Sequence, residues 1–267
     1  MEVPKQTDLW ANGELYESYV GRWSRVVARE FLDWLAIPAG GRWLDVGCGT
    51  GALSETILQC ASPANVVGID SSLQFVEHAR AHVTDARARF EAGDARALPV
   101  DSATFDAVVS GLVLNFVPEP EMAVAELARA ARPDGTVAVY VWDYSGDMQI
   151  MRHFWDSAVA LDPAGSEVDE SRRFAGLCRP DALADLFRGA GLAKVEARGI
   201  VVATTFRDFS DYWTPFLGGQ GPAPRYAMSL SAERRNALRE HIRARLPVEP
   251  DGSIALRARA WAVRGQR

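Results

Sequence analysis

The chain has 267 residues, 48% of them hydrophobic and 24% charged, and a net charge of −6 at pH 7. Its length suits one domain carrying insertions, and its apolar content is that of an ordinary folded globule. The acidic balance argues against a nucleic-acid surface, and no apolar run approaches the roughly 20 residues that span a bilayer.

In chain order, apolar positions recur at helical spacing over residues 12–36 (Val20, Trp23, Val26, Val27, Phe31, Leu32, Leu35), and Pro38-Ala39-Gly40-Gly41 ends that helix. A strand follows over Arg42 to Val46, then a helix over Ala52 to Cys60. After a Ser62-Pro63 turn comes a strand over Asn65 to Asp70. Ser72 is placed to cap a helix running to Val83. Strands are expected over Ala88 to Ala92, Phe105 to Ser110 and Thr136 to Trp142, with a helix over Pro120 to Ala131. Such alternation predicts a doubly wound α/β fold, its mostly parallel sheet covered on both faces. Ligands of such sheets bind beyond the carboxyl ends of the strands.

Beyond Trp142 the pattern changes. Residues 143–178 read as a helical insertion, and Pro180 to Ala190 as a helix capped by Gly191. A Val- and Thr-rich strand runs from Lys194 to Phe206, followed by an aromatic and then glycine-rich segment to Gly219. An arginine-dense helix is expected over 231–245, its glutamates marking a solvated face, and a last strand over Ile254 to Val263, antiparallel to Lys194–Phe206. The division expected is a single domain over 1–267. Residues 1–40 cover a ligand, 41–142 bind it, and 143–178 with 207–252 form lid or substrate insertions.

The run Leu44-Asp45-Val46-Gly47-Cys48-Gly49-Thr50-Gly51 carries the most chemistry. It is a strand ending in an acid, followed by glycines at alternate positions, so the backbone can approach a ligand closely. Gly47-x-Gly49-x-x-Ala52 also fits the loose dinucleotide pattern, with Asp70 at a ribose-binding spacing. Two features weigh against NAD. Asp45 would repel a pyrophosphate but favour a cationic ligand, and no Tyr-x-x-x-Lys pair is present.

Five ordered pieces resemble the class I S-adenosylmethionine-dependent methyltransferases, in particular the small-molecule branch that includes ubiquinone and menaquinone biosynthesis enzymes. They are Leu44–Gly51, Val66–Ser72, Phe90–Ala95, Phe105–Ser110 and Ala131–Gly135, all within residues 42–142. The resemblance implies a seven-stranded Rossmann-like methyltransferase fold with an antiparallel last strand and helical lid insertions. It also implies S-adenosyl-L-methionine as cofactor and methyl transfer onto oxygen, nitrogen or carbon of a small molecule. Implied cofactor contacts are Asp45, Gly47, Cys48, Gly49 and Gly51 around the methionine part, with Cys48 there as packing. Asp70 would serve the ribose hydroxyls, Ser71 and Phe75 would border the adenine, and Asp94 with the Ala95 amide would meet its edge. Ser110 or Gly111 would meet the ammonium through the backbone, and Arg22 the carboxylate. A non-catalytic cofactor-binding module remains the alternative, and an NAD-dependent oxidoreductase a more distant one.

Tyr19, Trp23, Tyr144, Trp155, Tyr212 and Trp213 are the aromatic candidates for closing a moderately apolar substrate pocket. Of the four histidines, His78 and His82 read as a surface pair on one helix, and His153, in the insertion, is the better candidate base. Asn115 stands where relatives often carry histidine; as a neutral amide it would position a substrate. The three cysteines (Cys48, Cys60, Cys178) form no metal-binding spacing, so no metal is expected. No leader pattern opens the chain. The expectation is therefore a cytoplasmic monomer or homodimer with a small-molecule substrate and no nucleic-acid or membrane partner.

Overall fold

The structure, a computed structural model, describes residue 19, residues 21–219 and residues 221–267. The part of the first expected helix over 12–18 and at Val20 lies outside the described residues. From there α1 spans Arg22–Leu35, and its face of Val27, Ala28, Phe31, Leu32 and Leu35 is buried. The helix ends at Ala36, whose left-handed φ of 50° closes a bond from its amide to the Leu32 carbonyl.

The core alternates β1 (Arg42–Val46), α2 (Ala52–Cys60), β2 (Asn65–Asp70), α3 (Leu73–His82), β3 (Ala88–Ala92), β4 (Phe105–Gly111), α4 (Pro120–Ala130) and β5 (Ala131–Trp142). The Ser72 hydroxyl accepts the Phe75 amide, which fixes the start of α3 where the sequence places it. The last third adds α5 (Gln149–Leu161), α6 (Glu170–Arg173), α7 (Pro180–Gly189) and β6 (Ala193–Phe206). It ends with α8 (Phe209–Trp213), α9 (Pro222–Ser229), α10 (Ala232–Arg243) and β7 (Ile254–Gln266). The seven strands lie in the order β3-β2-β1-β4-β5-β7-β6. β7 is antiparallel to both neighbours, and the pairings of β1 to β5 are parallel. Trp43, Leu44 and Val46 of β1 are all buried, as expected for a sheet covered on both faces.

The sheet is not flush at its carboxyl edge. β5 ends with Trp142 opposite Ala260, yet β6 and β7 continue, Val201–Phe206 pairing with Ile254–Arg259. Six further residue pairs carry this ribbon about 20 Å past the edge. The segments between β5 and α7 and between β6 and β7 pack there as a cap. On α5 the residues Ile150, Met151, Phe154, Trp155 and Ala158 form a buried face. The Phe154 ring stacks on Phe216 with centroids 4.6 Å apart, and the Tyr212 hydroxyl donates to the Ile150 carbonyl at 2.8 Å. Asp143, just past β5, ties the ribbon down. Its Oδ2 accepts both Nε and Nη2 of Arg259, at 2.9 and 2.6 Å, and its carboxylate also takes the Gly146 and Asp147 amides.

Candidate functional site

The turn after β1 is held from below. The amides of Gly47 and Cys48 both donate to the Ile69 carbonyl, at 2.7 and 3.0 Å, so the loop is pinned to the end of β2. Gly47 has φ +76°, and a Cβ there would lie 2.5 Å from Val113. The close approach that the sequence assigns to a ligand at Gly47 is thus made by a side chain from the loop after β4. Gly49 is different: at φ +53° a Cβ would meet no atom within 4 Å, so it presents bare backbone to open space. Cys48 packs among Val76, Ala79 and Phe90, and burial followed by the nearby Asp45 and Asp70 charges pushes its thiol up. It is packing, as its place in the loop suggests.

Two acids flank this loop. Asp45 is fully buried. Its Oδ2 accepts the Ser54 hydroxyl at 2.7 Å, while Oδ1 has no hydrogen-bond partner. Burial raises its pKa to about 7; the Ser54 bond opposes the rise and the Asp70 charge adds to it. Asp70, at the end of β2, accepts the Gly49 amide on Oδ2 at 2.9 Å and the Ser72 amide on Oδ1 at 2.8 Å. Burial raises its pKa against those two bonds. The carboxylate therefore clasps the glycine loop to the start of α3, and each oxygen keeps a further lone pair. Ser71 is exposed beside it and Phe75 is buried one turn into α3.

Asp94 does not join this pair. Its carboxylate turns to Arg96, which also binds Glu119, and its side chain is 47% exposed. The Arg96 side-chain bond holds its carboxyl below the usual range. Ala95 is half-buried next to it. At the end of β4, Ser110 is buried and the Tyr140 ring presses on Gly111. Leu112 follows with φ 64°, a conformation costly for a leucine, its amide held by the Tyr140 carbonyl at 2.7 Å.

That strained step delivers Asn115 to a short 3-10 turn, Leu114–Phe116. Asn115 is 9% exposed, and neither Nδ2 nor Oδ1 has a hydrogen-bond partner. Next to it the Phe116 ring meets Phe174 at 5.1 Å, and Phe174 in turn meets Tyr144 at 5.1 Å. An unpaired amide thus borders an aromatic contact between core and cap.

The other aromatic candidates pack on one another. Trp155 and Tyr212 have no exposed surface. Trp155 Nε1 donates to the buried Glu170, and the Tyr19 hydroxyl donates to Met151 Sδ at 3.0 Å. Trp213 stacks with Phe209, and Trp23 meets Phe206 edge-on at 5.7 Å. Of the six rings proposed to line a pocket, Tyr144 is the one joined through Phe174 to Phe116, the neighbour of Asn115; Tyr19, Trp155, Tyr212 and Trp213 are buried, and Trp23 is half-buried on α1. Arg22 lies with them, its Nη1 donating to Asp211 at 3.0 Å. His153 has Asp156 and Arg245 as charged neighbours, both in the cap, and burial lowers its pKa. His78 and His82 stack on α3 at 3.9 Å, the pair the sequence suggests.

A model of the methyltransferase domain family matches residues 44–139. The chain is 33% identical over 177 residues to demethylmenaquinone methyltransferase of Roseiflexus castenholzii, covering 61% of this chain and 72% of that one. It is 32% identical over 184 residues to the ubiquinone biosynthesis O-methyltransferase of Aromatoleum aromaticum, covering 63% and 72%. The chain belongs to the class I S-adenosylmethionine-dependent methyltransferases. Solved structures agree on the fold of this methyltransferase. Phosphoethanolamine N-methyltransferase 2 of Haemonchus contortus superposes with TM-score 0.59 at 14% identity, over 95% of this chain and 56% of that one. The YcgJ protein of Bacillus subtilis gives 0.56 at 17%, over 91% and 98%.

Several residues that pack around the candidate site and the cap escape a reading of sequence. Ser54 had a usable signal, since it lies in the first turn of α2 among the sheet-facing Leu53, Ile57 and Leu58. Val113, Phe174, Glu170 and Asp211 carry no such signal, because each acts through a partner far away in the chain. A cavity of about 620 Å³ opens at the opposite edge of the sheet beside Gly41, Asp106, Arg132 and Arg264. Its arginines are already paired, Arg132 with Asp106 and Arg264 with Glu196. The methyltransferase's unpaired buried groups Asp45 and Asn115 belong to the carboxyl edge instead.

Proposed function

We propose that this chain transfers a methyl group from S-adenosylmethionine to a small quinone-type ring held between the glycine loop and the cap. The observation that carries the reading is the Asp45–Gly49–Asp70 arrangement: a bare glycine backbone between a buried carboxylate oxygen without a partner and a carboxylate with lone pairs to spare. These residues fit the cofactor. Asp45 suits the positive charge of a sulfonium and ammonium, and Asp70 suits a vicinal diol. The turn from Gly47 to Gly51 would face the amino-acid part, with the Ser110 or Gly111 backbone on its ammonium. Ser71, Phe75 and the Ala95 amide would border the adenine, with the Asp94 carboxylate, beyond its bonds to Arg96, on the amino group.

Arg22 would take the carboxylate. Arg25 pairs with Glu55 in the first turn of α2 at 3.0 Å, and Arg22 lies one turn of α1 before it, toward the ligand edge.

When bound, the cofactor supplies an electrophilic methyl group whose transfer leaves a neutral thioether. The protein then has to align an acceptor and exclude water. Asn115 does the first, its unpaired donor and acceptor matching a hydroxyl of the reduced, electron-rich ring, which both accepts and donates. As a neutral amide it orients the acceptor and takes no proton; the proton that the ring gives up as the new methyl bond forms passes to solvent. Phe116, Phe174 and Tyr144 do the second. The two relatives are named for demethylmenaquinone methylation and for ubiquinone biosynthesis, which favours a quinone-type acceptor here. Turnover with methyl-labelled cofactor across hydroquinones, phenols, amines and carboxylic acids tests this. Label should enter hydroquinones first; label entering only amines or acids refutes the acceptor.

A further inference from the structure

Arg22 is held in an unusual way. Its guanidinium lies between two rings, 4.7 Å from the centroid of Trp23 and 4.6 Å from that of Phe206. One end, Nη1, donates to Asp211 Oδ1 at 3.0 Å. The Nε and Nη2 atoms are closed to solvent and have no hydrogen-bond partner. Those two donors are the side-on edge of a guanidinium, the edge whose parallel N–H bonds match a carboxylate. An unpaired buried donor is costly, so an edge of two such donors calls for an acceptor of matching shape.

Asp211 is itself fixed. Its Oδ2 accepts the Arg207 amide at 3.0 Å, and its own amide donates to Asp208 Oδ1 at 2.9 Å. Its side chain is 14% exposed, that of Arg22 29%. Burial works against its charge, but the Arg207 amide and the Arg22 guanidinium hold its carboxyl below the usual range. Asp211 belongs to α8, in the cap, and Arg22 to α1, so the contact joins the helix beside the glycine loop to the cap. A cavity of about 390 Å³ borders it, lined in part by Ser210, Thr214 and Pro215.

We propose that Asp211 is a positioning residue for the cofactor: by binding Nη1 of Arg22 it turns the Nε–Nη2 edge toward the cofactor carboxylate, so that this carboxylate and the cap share one guanidinium. The inference rests on the reading above that Arg22 receives that carboxylate. It adds a residue 189 positions away that decides whether Arg22 can do so.

The test compares two ligands by calorimetric titration. S-Adenosylmethionine carries the amino-acid carboxylate; 5′-methylthioadenosine keeps the adenosine and sulfur but lacks it. Asp211→Asn should weaken S-adenosylmethionine about tenfold, the size of one lost charged hydrogen bond, and leave 5′-methylthioadenosine unchanged. Asp211→Glu should recover part of the loss. Arg22→Ala should weaken S-adenosylmethionine to the same side, and adding Asp211→Asn to it should cost nothing more. Thermal unfolding of each variant reports on the fold; Arg234→Ala, which removes a cap side chain 72% exposed and paired with Asp162, serves as a cap control and should leave both affinities alone. Equal loss for both ligands on Asp211→Asn overturns the proposal as a merely structural effect. So does unchanged or tighter binding of S-adenosylmethionine, while the cofactor reading stands. Failure of the wild-type protein to bind S-adenosylmethionine overturns both.

Discussion

Asp45 and Ser54 share a 2.7 Å hydrogen bond at the buried end of β1, nine residues apart and on opposite sides of the glycine loop. One oxygen of the carboxylate is thereby held and the other left unpaired, in a place where burial raises its pKa to about 7. That makes Asp45 the most pH-sensitive group of the candidate site.

The consequence for stability has a definite sign. An unfolded aspartate releases its proton near pH 4, the folded one near 7, so folding costs nothing at Asp45 below about pH 4. The penalty grows between those values and is complete above 7, on the order of 4 kcal/mol. Asp45→Asn should unfold at the same denaturant midpoint as wild type at pH 4 and at a clearly higher one at pH 8. Equal midpoints at pH 8 would show that Asp45 ionises without cost. The same linkage makes wild-type affinity for a cationic cofactor rise with pH up to about 7, with a proton released on binding below that value. Titrations in buffers of different ionisation enthalpy count that proton.

Asn115 separates stability from function. Replacing a buried, unpaired amide by an apolar group of similar size is nearly neutral or stabilising. Asn115→Leu should therefore match or exceed the wild-type melting temperature and keep its affinity for S-adenosylmethionine. Its kcat/KM for the acceptor should fall at least tenfold, the scale of one hydrogen bond between a site and its substrate. Steady-state kinetics with wild-type values would remove Asn115 from the acceptor site.

Asp143 and Arg259 anchor the overhanging ribbon. Asp143→Ala removes the partner of a half-buried guanidinium and two amide acceptors, a loss of about 3 kcal/mol. Differential scanning calorimetry should show a fall in Tm on the order of 5–10 °C. A shift under about 2 °C would mean that the ribbon does not depend on this pair.

Much of the core was legible from sequence because its signals are local. Asp70 ends β2 and Asp45 is the last residue but one of β1, close to what the alternation of apolar runs implies, Ser72 caps α3, and β7 lies antiparallel beside β6. The cap was legible only as helices and aromatic residues. Rings that read as pocket walls, such as Trp155 and Tyr212, are its interior, because an aromatic residue at helical spacing satisfies a core equally well. Gly47 shows the same limit. Its lack of a Cβ is visible in the sequence, but the Val113 side chain that uses the room is not. Arg22 was a candidate for the cofactor carboxylate only through the family resemblance, and its contact with Asp211, 189 residues away, left no trace in the sequence.

The central claim is that the loop from Gly47 to Gly51, with Asp45 and Asp70, holds S-adenosylmethionine. Calorimetric titration of wild type and Asp70→Ala with S-adenosylmethionine and, separately, NAD tests it most directly. Asp70 both fixes the Gly49 amide and would accept the ribose hydroxyls, charged hydrogen bonds worth about 1.5–3 kcal/mol. Wild type should bind S-adenosylmethionine one-to-one and NAD not at all, and Asp70→Ala should lose at least tenfold in affinity. Binding of NAD in its place, or S-adenosylmethionine affinity indifferent to Asp70→Ala, would contradict it.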